Sequence, residues 1–325
     1  MRTLYPASEP RRAQWLAVGD GHAVYVEEGG SPEGLPVVFL HGGPGGGCKP
    51  SHRQFFEPRY RSFLIDQRGA GRSTPFGATD ANTTQALIAD LETLRQWAEV
   101  ERWVLFGGSW GGALALAYAE THPERVLGMV LRGTFLARQR DLEWFMAAGA
   151  ARLLPQAWHE FLTATQDFGH DIPALHAAMF GPDLERARRA VQAWSRWSTS
   201  VVMYGFESAP QEPASSDTGP DTEPDAELFG KMRIELHYAH AQYFLRANQL
   251  LEDIGRVPRV PIHLIHGQRD ITCAPEAAWA VHQALPWSTI EILRAAGHLS
   301  AEAAIQDALV RAADAMVLEL VPKSS

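Results

Sequence analysis

The sequence predicts an α/β fold, in which a mostly parallel, twisted sheet is flanked by helices and carries an inserted helical cap. Strand-like and helix-like segments alternate over the first 135 residues, and alternation returns after about residue 244. A mostly helical, aromatic-rich stretch lies between these parts. Alternating strands and helices imply a parallel sheet that is covered on both faces. The interrupting helices predict a cap above the carboxyl ends of the strands, where open α/β sheets bind ligands.

Short apolar runs bounded by turn residues define the predicted strands. They span residues 22–28, 37–41, 61–65, 103–106, 126–131, 262–266 and 289–293. The predicted helices span residues 83–99, 113–120, 275–285 and 301–320. In the first helix Leu87, Leu91 and Leu94 have helical spacing, and Asn82 or Thr83 can cap its start. We expect residues 1–135 and 245–325 to form the core and residues 136–244 the cap.

One segment of the predicted cap, at about residues 207–227, differs from the rest in composition. It is rich in Pro, Ser, Asp and Glu and contains no Lys or Arg. Such a segment has little apolar surface to bury, so we interpret it as a mobile acidic loop. It could be a solvated surface loop or an acidic gate beside a site, and the first alternative is the commoner one.

Composition and charge exclude several classes of protein. With 325 residues, 46% hydrophobic and 21% charged, the chain resembles an ordinary globular enzyme. The net charge of −9 argues against a nucleic-acid partner, and two cysteines, Cys48 and Cys273, do not make a disulfide framework. No apolar run follows the N-terminal arginines or approaches the length of a membrane span. We therefore expect a cytoplasmic protein without a membrane or nucleic-acid partner.

The stretch from Gly107 to Gly111 is the strongest sign of chemistry, because it reads Gly-x-Ser-x-Gly with Ser109 at its centre. An apolar strand precedes it and a helix follows it, which is the context of a nucleophile elbow. A serine on so tight a turn needs small neighbours, which explains the flanking glycines. The alternative is a glycine-rich turn that contains a serine by chance.

A serine hydroxyl needs a base, and the base needs an orienting acid. Asp270 and His298 each follow the end of a predicted strand, in the chain order serine, acid, histidine. We therefore predict a triad of Ser109, Asp270 and His298. The alternatives are a turn aspartate and a polar residue at a helix start. Four further histidines in or beside strands are interpreted as structural: His22, His41, His263 and His266.

Acyl transfer also needs hydrogen-bond donors for a developing oxyanion. The N–H of Trp110, next to the nucleophile, is one predicted donor. The loop 41–47, His-Gly-Gly-Pro-Gly-Gly-Gly, supplies the other, and we choose Gly43 because Pro44 has no N–H. The loop lacks the spacing and the Lys-Ser/Thr of phosphate-binding loops.

Other polar motifs receive structural interpretations. Residues 66–73, Asp-Gln-Arg-Gly-Ala-Gly-Arg-Ser, predict a structural turn near the site, with Arg68 able to pair with a buried acid. Cys273 lies close to Asp270 and is interpreted as a small apolar filler that could line a pocket. No group of His, Cys and acidic residues on one element has metal-ligand spacing, so we expect neither a metal nor a cofactor.

The sequence resembles the prolyl aminopeptidases (proline iminopeptidases), which are serine peptidases of the α/β-hydrolase fold that release N-terminal proline. The motifs that carry the resemblance lie at residues 41–47, 66–73, 107–111, 131–135, 149–158, 194–197, 235–238, 267–273 and 296–298. They cover nearly the whole chain, including the cap. The three motifs nearest the N-terminus occur more widely in α/β-hydrolases, whereas the cap motifs are more specific.

The resemblance implies a substrate with a free N-terminus, either a short peptide or an amino-acid amide, and a cap that selects it. Glu235 matches one of two family glutamates that bind the substrate amine. The other family glutamate follows the second tryptophan of Trp-Ser-x-Trp, where this chain has Ser198. Glu207 is close enough in sequence to compensate. A second departure is Leu299, where the family usually has serine.

The expected activity is therefore that of a serine aminopeptidase that prefers N-terminal proline and forms an acyl-enzyme on Ser109. Ser198 keeps open an alternative, an α/β-hydrolase that acts on small esters, amides or lactones. A non-enzymatic binding protein of the same fold is the third alternative, and the complete triad argues against it. The sequence leaves the oligomeric state open.

Overall fold

The computed structural model describes residues 1–206 and 226–321, which build one eight-stranded sheet with helices on both faces. The strands are β1 (Arg12–Gly19), β2 (His22–Gly30), β3 (Leu35–Leu40), β4 (Tyr60–Asp66), β5 (Trp103–Gly108), β6 (Val126–Arg132), β7 (Ile262–Gly267) and β8 (Thr289–Leu293). Their order across the sheet is β1-β2-β4-β3-β5-β6-β7-β8. The β1–β2 and β2–β4 pairs are antiparallel, and all other pairs are parallel. The predicted α/β class is confirmed.

Helices surround the sheet and form the inserted block. They are α1 (Thr84–Trp97), α2 (Trp110–Thr121), α3 (Gln139–Glu143), α4 (Ala150–Leu153), α5 (Pro155–Thr165), α6 (Ile172–Phe180), α7 (Leu184–Val202), α8 (Ala226–His240), α9 (Gln249–Glu252), α10 (Pro275–Ala284) and α11 (Ala303–Leu320). Thr83 caps α1, because its hydroxyl accepts a hydrogen bond from the N–H of Ala86.

Buried side chains on the two faces of the sheet form separate hydrophobic clusters. Val38 and Leu40 of β3 belong to the cluster under α1, α2 and α10, whereas Val37 and Phe39 belong to the cluster under α11. A strand buried on both faces needs a continuous apolar run, which is why the central strands were predictable from sequence. A third cluster lies in the helical block and includes Trp194 and Trp197. The boundaries of the cap at residues 136 and 244 stay a prediction.

The prediction missed strand β1. Most of its residues are exposed or half-buried, and Leu16 is its one buried residue. It is an edge strand that pairs only with β2. Because much of it faces solvent, it has no continuous apolar run. Charge helps to fix it, since Arg12 forms an ion pair with Glu28 of β2.

The prediction of a mobile loop at about residues 207–227 is wrong for its last two residues. Residues 226 and 227 form the first turn of α8, where the negative charge of Glu227 is favourable at the positive end of the helix dipole. The rest of that prediction, 207–225, lies outside the described residues. Other helix boundaries differ from prediction by a few residues, as at α11, which begins at Ala303.

No helix within residues 1–206 and 226–321 is both long enough and apolar enough to cross a lipid bilayer.

Candidate active site

Ser109 lies on the sharp turn between β5 and α2, as the sequence predicted for a nucleophile elbow. Its backbone angles are φ 55° and ψ −125°, a conformation that non-glycine residues rarely adopt. The turn is possible only with small neighbours. A Cβ on Gly107 would lie 2.3 Å from the carbonyl oxygen of Gly111, and one on Gly111 would lie 2.0 Å from that of Leu40. The N–H of Ser109 donates to the Arg132 carbonyl at 2.8 Å, which anchors the turn to β6.

Asp270 and His298 contact each other directly. Asp270 follows β7, and its Oδ2 lies 2.7 Å from Nδ1 of His298. Its other oxygen, Oδ1, accepts from the backbone N–H groups of Thr272 and Cys273, both at 2.9 Å. These donors fix the carboxylate and aim one oxygen at the histidine.

Electrostatics keep this pair in the protonation states that a general base needs. Burial favours the neutral acid of Asp270, but the neighbouring His298 and His266 outweigh it and hold the pKa of Asp270 below its ordinary value. Burial also lowers the pKa of His298, against the opposing effect of Asp270. The imidazole is therefore neutral at pH 7 and able to accept a proton.

A second histidine, His266, also contacts Asp270. Its Nδ1 accepts from the N–H of Thr134 at 3.2 Å, so its proton is on Nε2. That Nε2 lies 2.8 Å from the Cys273 carbonyl and 3.3 Å from Oδ2 of Asp270. The sequence interpretation of His266 as structural did not foresee this contact. Its position at the end of β7, four residues before Asp270, is the signal that could have shown it.

Ser109 and His298 line one cavity of about 390 Å³ beneath the helical block. Among the hydrogen bonds of the described residues, Ser109 Oγ has one partner, Sγ of Cys273 at 3.9 Å. Cys273 therefore lines the pocket, as the sequence suggested. Nε2 of His298 lies 3.4 Å from Nη1 of Arg132. Ser109 and His298 thus line the same cavity, as predicted for a triad, but they do not form a direct hydrogen bond in this structure.

Arg132 is a functional-site residue that the sequence reasoning missed. It ends β6, and its Nη1 donates to the His298 carbonyl at 2.7 Å. A Cβ on Gly108 would lie 2.5 Å from Nη2 of this guanidinium, so glycine at 108 leaves room for it. Burial lowers the pKa of Arg132, although the Asp270 carboxylate opposes that effect. Its position at the end of a central strand, next to β5, is the signal that was overlooked.

The glycine-rich loop after β3 lies against the elbow. A Cβ on Gly42 would lie 3.4 Å from Cβ of Ser109, which places the loop backbone beside the serine. Gly43 has φ +115° and is exposed, and it lines the cavity. The Gly46 N–H donates to the Gly42 carbonyl at 3.1 Å and closes the loop into a turn. Trp110 is the first residue of α2, where helical N–H groups have no partner within the helix.

A buried hydrogen-bond network joins the helix and the loop that carry these two predicted oxyanion donors. The Trp110 indole N–H donates to Oε1 of Gln67 at 2.9 Å, and Nε2 of Gln67 donates to the His41 carbonyl at 2.9 Å. The Gln67 N–H also donates to Nε2 of His41 at 3.0 Å, so the proton of His41 is on Nδ1. That Nδ1 donates to the Gly42 carbonyl at 2.9 Å. The network therefore holds the loop in a fixed position relative to α2.

The rest of the 66–73 motif forms the structural turn that the sequence predicted. Asp66 accepts from the N–H groups of Cys48, at 2.6 Å, and Arg72, at 2.9 Å, and so ties the end of the glycine-rich loop to this turn. Arg68 makes two hydrogen bonds to the buried Asp90, at 2.8 and 2.9 Å. The expected pairing of Arg68 with a buried acid is confirmed.

Glu235 of α8 lines the same cavity as Ser109. Its Oε2 accepts from the indole N–H of Trp194 at 3.1 Å, and its Oε1 lies 3.9 Å from Nζ of Lys231. Burial raises the pKa of Glu235, while Lys231 and Trp194 act to lower it. Ser198 also lines the cavity, and its hydroxyl donates to the Ser195 carbonyl at 3.2 Å. Glu207 lies outside the described residues.

Aromatic and aliphatic side chains form much of the remaining cavity wall. They are Phe135, Leu142, Phe145, Trp194, Val202, Met203 and Tyr243. Within residues 1–206 and 226–321 no three His, Cys, Asp or Glu side chains come together as metal ligands would. Both cysteines are free thiols.

Comparison with known proteins agrees with this geometry. Residues 36–303 match the alpha/beta hydrolase fold family. Among solved structures, a proline iminopeptidase-related protein from Thermus thermophilus superposes with a TM-score of 0.59 at 24% identity, covering 96% of this chain and 98% of that one. A putative aryl esterase from Burkholderia cenocepacia gives a TM-score of 0.60 at 18% identity, covering 96% and 100%. The chain is thus an α/β-hydrolase in fold.

Sequence relatives narrow the assignment. The chain is 40% identical over 323 residues to a probable proline iminopeptidase of Leptolyngbya boryana, covering 98% of both chains. It is 43% identical over 321 residues to a proline iminopeptidase of Xylella fastidiosa strain Temecula1, covering 98% of this chain and all of the relative. A proline iminopeptidase of Arabidopsis thaliana is 39% identical over 322 residues, covering 97% of this chain and 82% of that one. The chain belongs to the proline iminopeptidase family.

Proposed function

We propose that this chain is a serine aminopeptidase that releases N-terminal proline from short peptides through an acyl-enzyme on Ser109. The single observation that carries the proposal is the one cavity that Ser109, His298 and Glu235 all line. A nucleophile and a base that share a cavity with a largely buried carboxylate suit a substrate whose amine is next to the scissile bond. Relatives named proline iminopeptidase support the same activity.

In the proposed reaction His298 takes the proton of the Ser109 hydroxyl, and the serine oxygen attacks the carbonyl carbon of the first residue. Rotation about χ1 moves a serine Oγ between three staggered positions, so the contact with Cys273 does not fix the Ser109 hydroxyl in place. Asp270 holds the imidazole through Nδ1 at 2.7 Å and stabilises the imidazolium that forms. His298 then protonates the leaving amine, and water releases the amino acid.

The backbone N–H groups of Gly43 and Trp110 are the proposed donors to the oxyanion. The Gln67 network described above joins the two elements that carry them. Donors that are fixed before reaction need no reorganisation when negative charge develops, and removal of one such donor typically costs about 10²–10³ in kcat. A rigid link between loop and helix is therefore suited to this role.

The cavity also suits the substrate in shape and charge. Glu235 is the proposed ligand for the substrate amine, and Phe135 and Phe145 provide apolar surface for a proline ring. The helical block at about 136–244 thus contributes the residues that select the substrate. A cytoplasmic location stays part of the proposal.

Hydrolysis of proline β-naphthylamide tests the proposal, with alanine β-naphthylamide as the comparison. We expect the purified protein to cleave the proline compound faster, and Ser109→Ala to abolish cleavage while the thermal unfolding curve stays close to that of the wild type. Substantial activity in the folded Ser109→Ala variant would refute the assignment of the nucleophile. Absence of proline cleavage in the wild type would refute the substrate.

A further inference from the structure

The carboxylate proposed to bind the substrate amine already has a positive neighbour. Lys231 lies one turn before Glu235 on α8, and its Nζ is 3.9 Å from Oε1 of Glu235. Both side chains line the cavity that contains Ser109. The Lys231 ammonium group is therefore a positive counter-ion for the carboxylate, as a substrate amine would be.

The other charged side chains around the cavity, Asp141 and Arg132, are engaged with other partners, so Lys231 and Glu235 are the charged pair that faces a substrate amine. Asp141 lines the wall but is paired with Arg138 at 2.7 Å. Arg132 donates to the His298 carbonyl and is directed at the base. Ser198 carries no charge, and its hydroxyl donates a hydrogen bond to the Ser195 carbonyl at 3.2 Å. Among the described residues the amine subsite thus consists of one carboxylate and one ammonium, with no net charge.

This charge balance changes what the site can reject. An exopeptidase excludes substrates without an amine because they leave a buried carboxylate unpaired, which is costly. Specificity is a difference between two binding free energies, so a counter-ion that satisfies the carboxylate reduces that difference. Glu235 keeps Lys231 and Trp194 as partners when a neutral acyl group fills the cavity.

We propose that Lys231 is a specificity-determining residue, an internal counter-ion that lets this site hydrolyse neutral acyl compounds as well as N-terminal proline. The compounds are those whose acyl group has the size of a proline ring but carries no charge, such as carbocyclic esters and amides. The inference rests on the proposed function, because it assigns the substrate range of the same Ser109 site.

Lys231 can still give way to a real amine. Its side chain is 44% exposed, whereas that of Glu235 is 14% exposed. A half-exposed ammonium keeps most of its hydration and holds its partner more weakly than a buried one does. An incoming proline amine can therefore displace it, and activity on proline compounds is retained.

The test compares two substrates that differ in one group. Proline p-nitroanilide and cyclopentanecarboxylic p-nitroanilide have the same ring size and leaving group, but the second has CH₂ in place of the ring amine. The measured quantity is the ratio of kcat/KM for the proline compound to kcat/KM for the carbocyclic one. We expect the wild type to cleave both with a ratio below about 100, the upper range for one hydrogen bond to a charged group.

Variants show whether Lys231 sets this ratio. Lys231→Met keeps an unbranched side chain, one atom shorter, without the charge, and we expect it to raise the ratio about fivefold to twentyfold, mainly through slower turnover of the carbocyclic compound. Ser198→Glu adds a second carboxylate to the cavity wall and should raise the ratio about tenfold to a hundredfold. Lys231→Arg keeps the charge and should retain the wild-type ratio.

Two controls separate charge in the cavity from general effects. Arg233→Met removes one positive charge from the same helix, and the Arg233 guanidinium lies over the Phe180 ring at 4.4 Å and not on the cavity wall. It should leave the ratio unchanged. Ser109→Ala should abolish hydrolysis of both anilides, since both reactions use the same nucleophile.

Each outcome decides a separate point. A wild-type ratio above about 10³, or a ratio that Lys231→Met leaves within twofold of the wild type, would overturn the role of Lys231 and leave the aminopeptidase proposal intact. Equal effects of the Met and Arg variants would also overturn it, because charge would then not be the cause. Failure of the wild type to cleave the proline anilide would refute the proposed function itself, and this inference with it.

Discussion

Substitution of Gln67 by leucine should loosen both predicted oxyanion donors at once. The change removes two hydrogen bonds of 2.9 Å, one from the Trp110 indole and one to the His41 carbonyl. Both partners are buried, with Trp110 at 0% and His41 at 2% exposure, so each is left without a partner away from water. A buried polar group left unsatisfied costs about 1–3 kcal/mol. The two together predict a loss of roughly 2–6 kcal/mol in the free energy of unfolding.

The kinetic effect should appear mainly in kcat. The donors act on the charge that develops in the transition state, so a shifted loop affects turnover more than substrate binding. Loss of a whole donor costs about 10²–10³ in kcat, and we expect a displaced one to cost about tenfold to a hundredfold. Steady-state hydrolysis of proline β-naphthylamide at room temperature measures kcat and KM, and thermal unfolding measures stability.

Gln54→Leu is a suitable control for the Gln67 variant. Gln54 also donates one side-chain hydrogen bond to a backbone carbonyl, that of Tyr5 at 3.1 Å, but it has no contact with the elbow network. We expect a small loss of stability and an unchanged kcat. A Gln67→Leu protein that is less stable but has the wild-type kcat would refute the idea that this network positions the donors.

Three further predictions follow from the same structure. Gly111→Ala places a Cβ 2.0 Å from a β3 carbonyl oxygen and should destabilise the fold strongly in denaturant titrations, whereas Gly112→Ala, with 3.8 Å of clearance, should be tolerated. Burial raises the pKa of Glu120 to about 8, so between pH 4.5 and 8 the unfolded chain loses a proton that the folded chain keeps, and stability falls as pH rises. Glu120→Gln should therefore add roughly 3–5 kcal/mol at pH 8 and little below pH 4.5, and Glu124→Gln, at a 58% exposed side chain, is the matched control. Because burial lowers the pKa of His298, the acid limb of kcat/KM should have its midpoint below 6.5, and a midpoint above 6.5 would contradict a neutral base.

Those parts of the site that lie at strand ends could be predicted from the sequence. Each proposed catalytic side chain follows a short apolar run, and the ends of parallel strands meet at one edge of the sheet. Ser109 after β5, Asp270 after β7 and His298 after β8 are therefore placed by local patterns alone. The same patterns failed for β1, because an exposed edge strand does not need the apolar run that marks a buried one.

The supporting contacts could not be predicted, because they join residues that are distant in sequence. Gln67 reaches His41 across 26 residues and Trp110 across 43, and both contacts depend on the order of strands in the sheet. His266 and Arg132 were passed over for a related reason. Arg132 is the last residue of β6 and His266 the last but one of β7. Only the pairing of β6 with β7 shows that both side chains reach the proposed triad.

The charges near the proposed amine subsite depend both on local sequence spacing and on tertiary packing. Residues four apart on a helix face the same side, so the pairing of Lys231 with Glu235 could have been inferred from the sequence of α8. Its consequence could not, because it depends on α8 packing against the glycine-rich loop, where a Cβ on Gly45 would lie 3.2 Å from the Ile234 side chain. That packing turns the face of α8 with both charges towards Ser109. A lysine that would be an ordinary solvated cation on an exposed helix thus lines the proposed acyl-binding cavity, where position 198 contributes a hydroxyl and no second carboxylate.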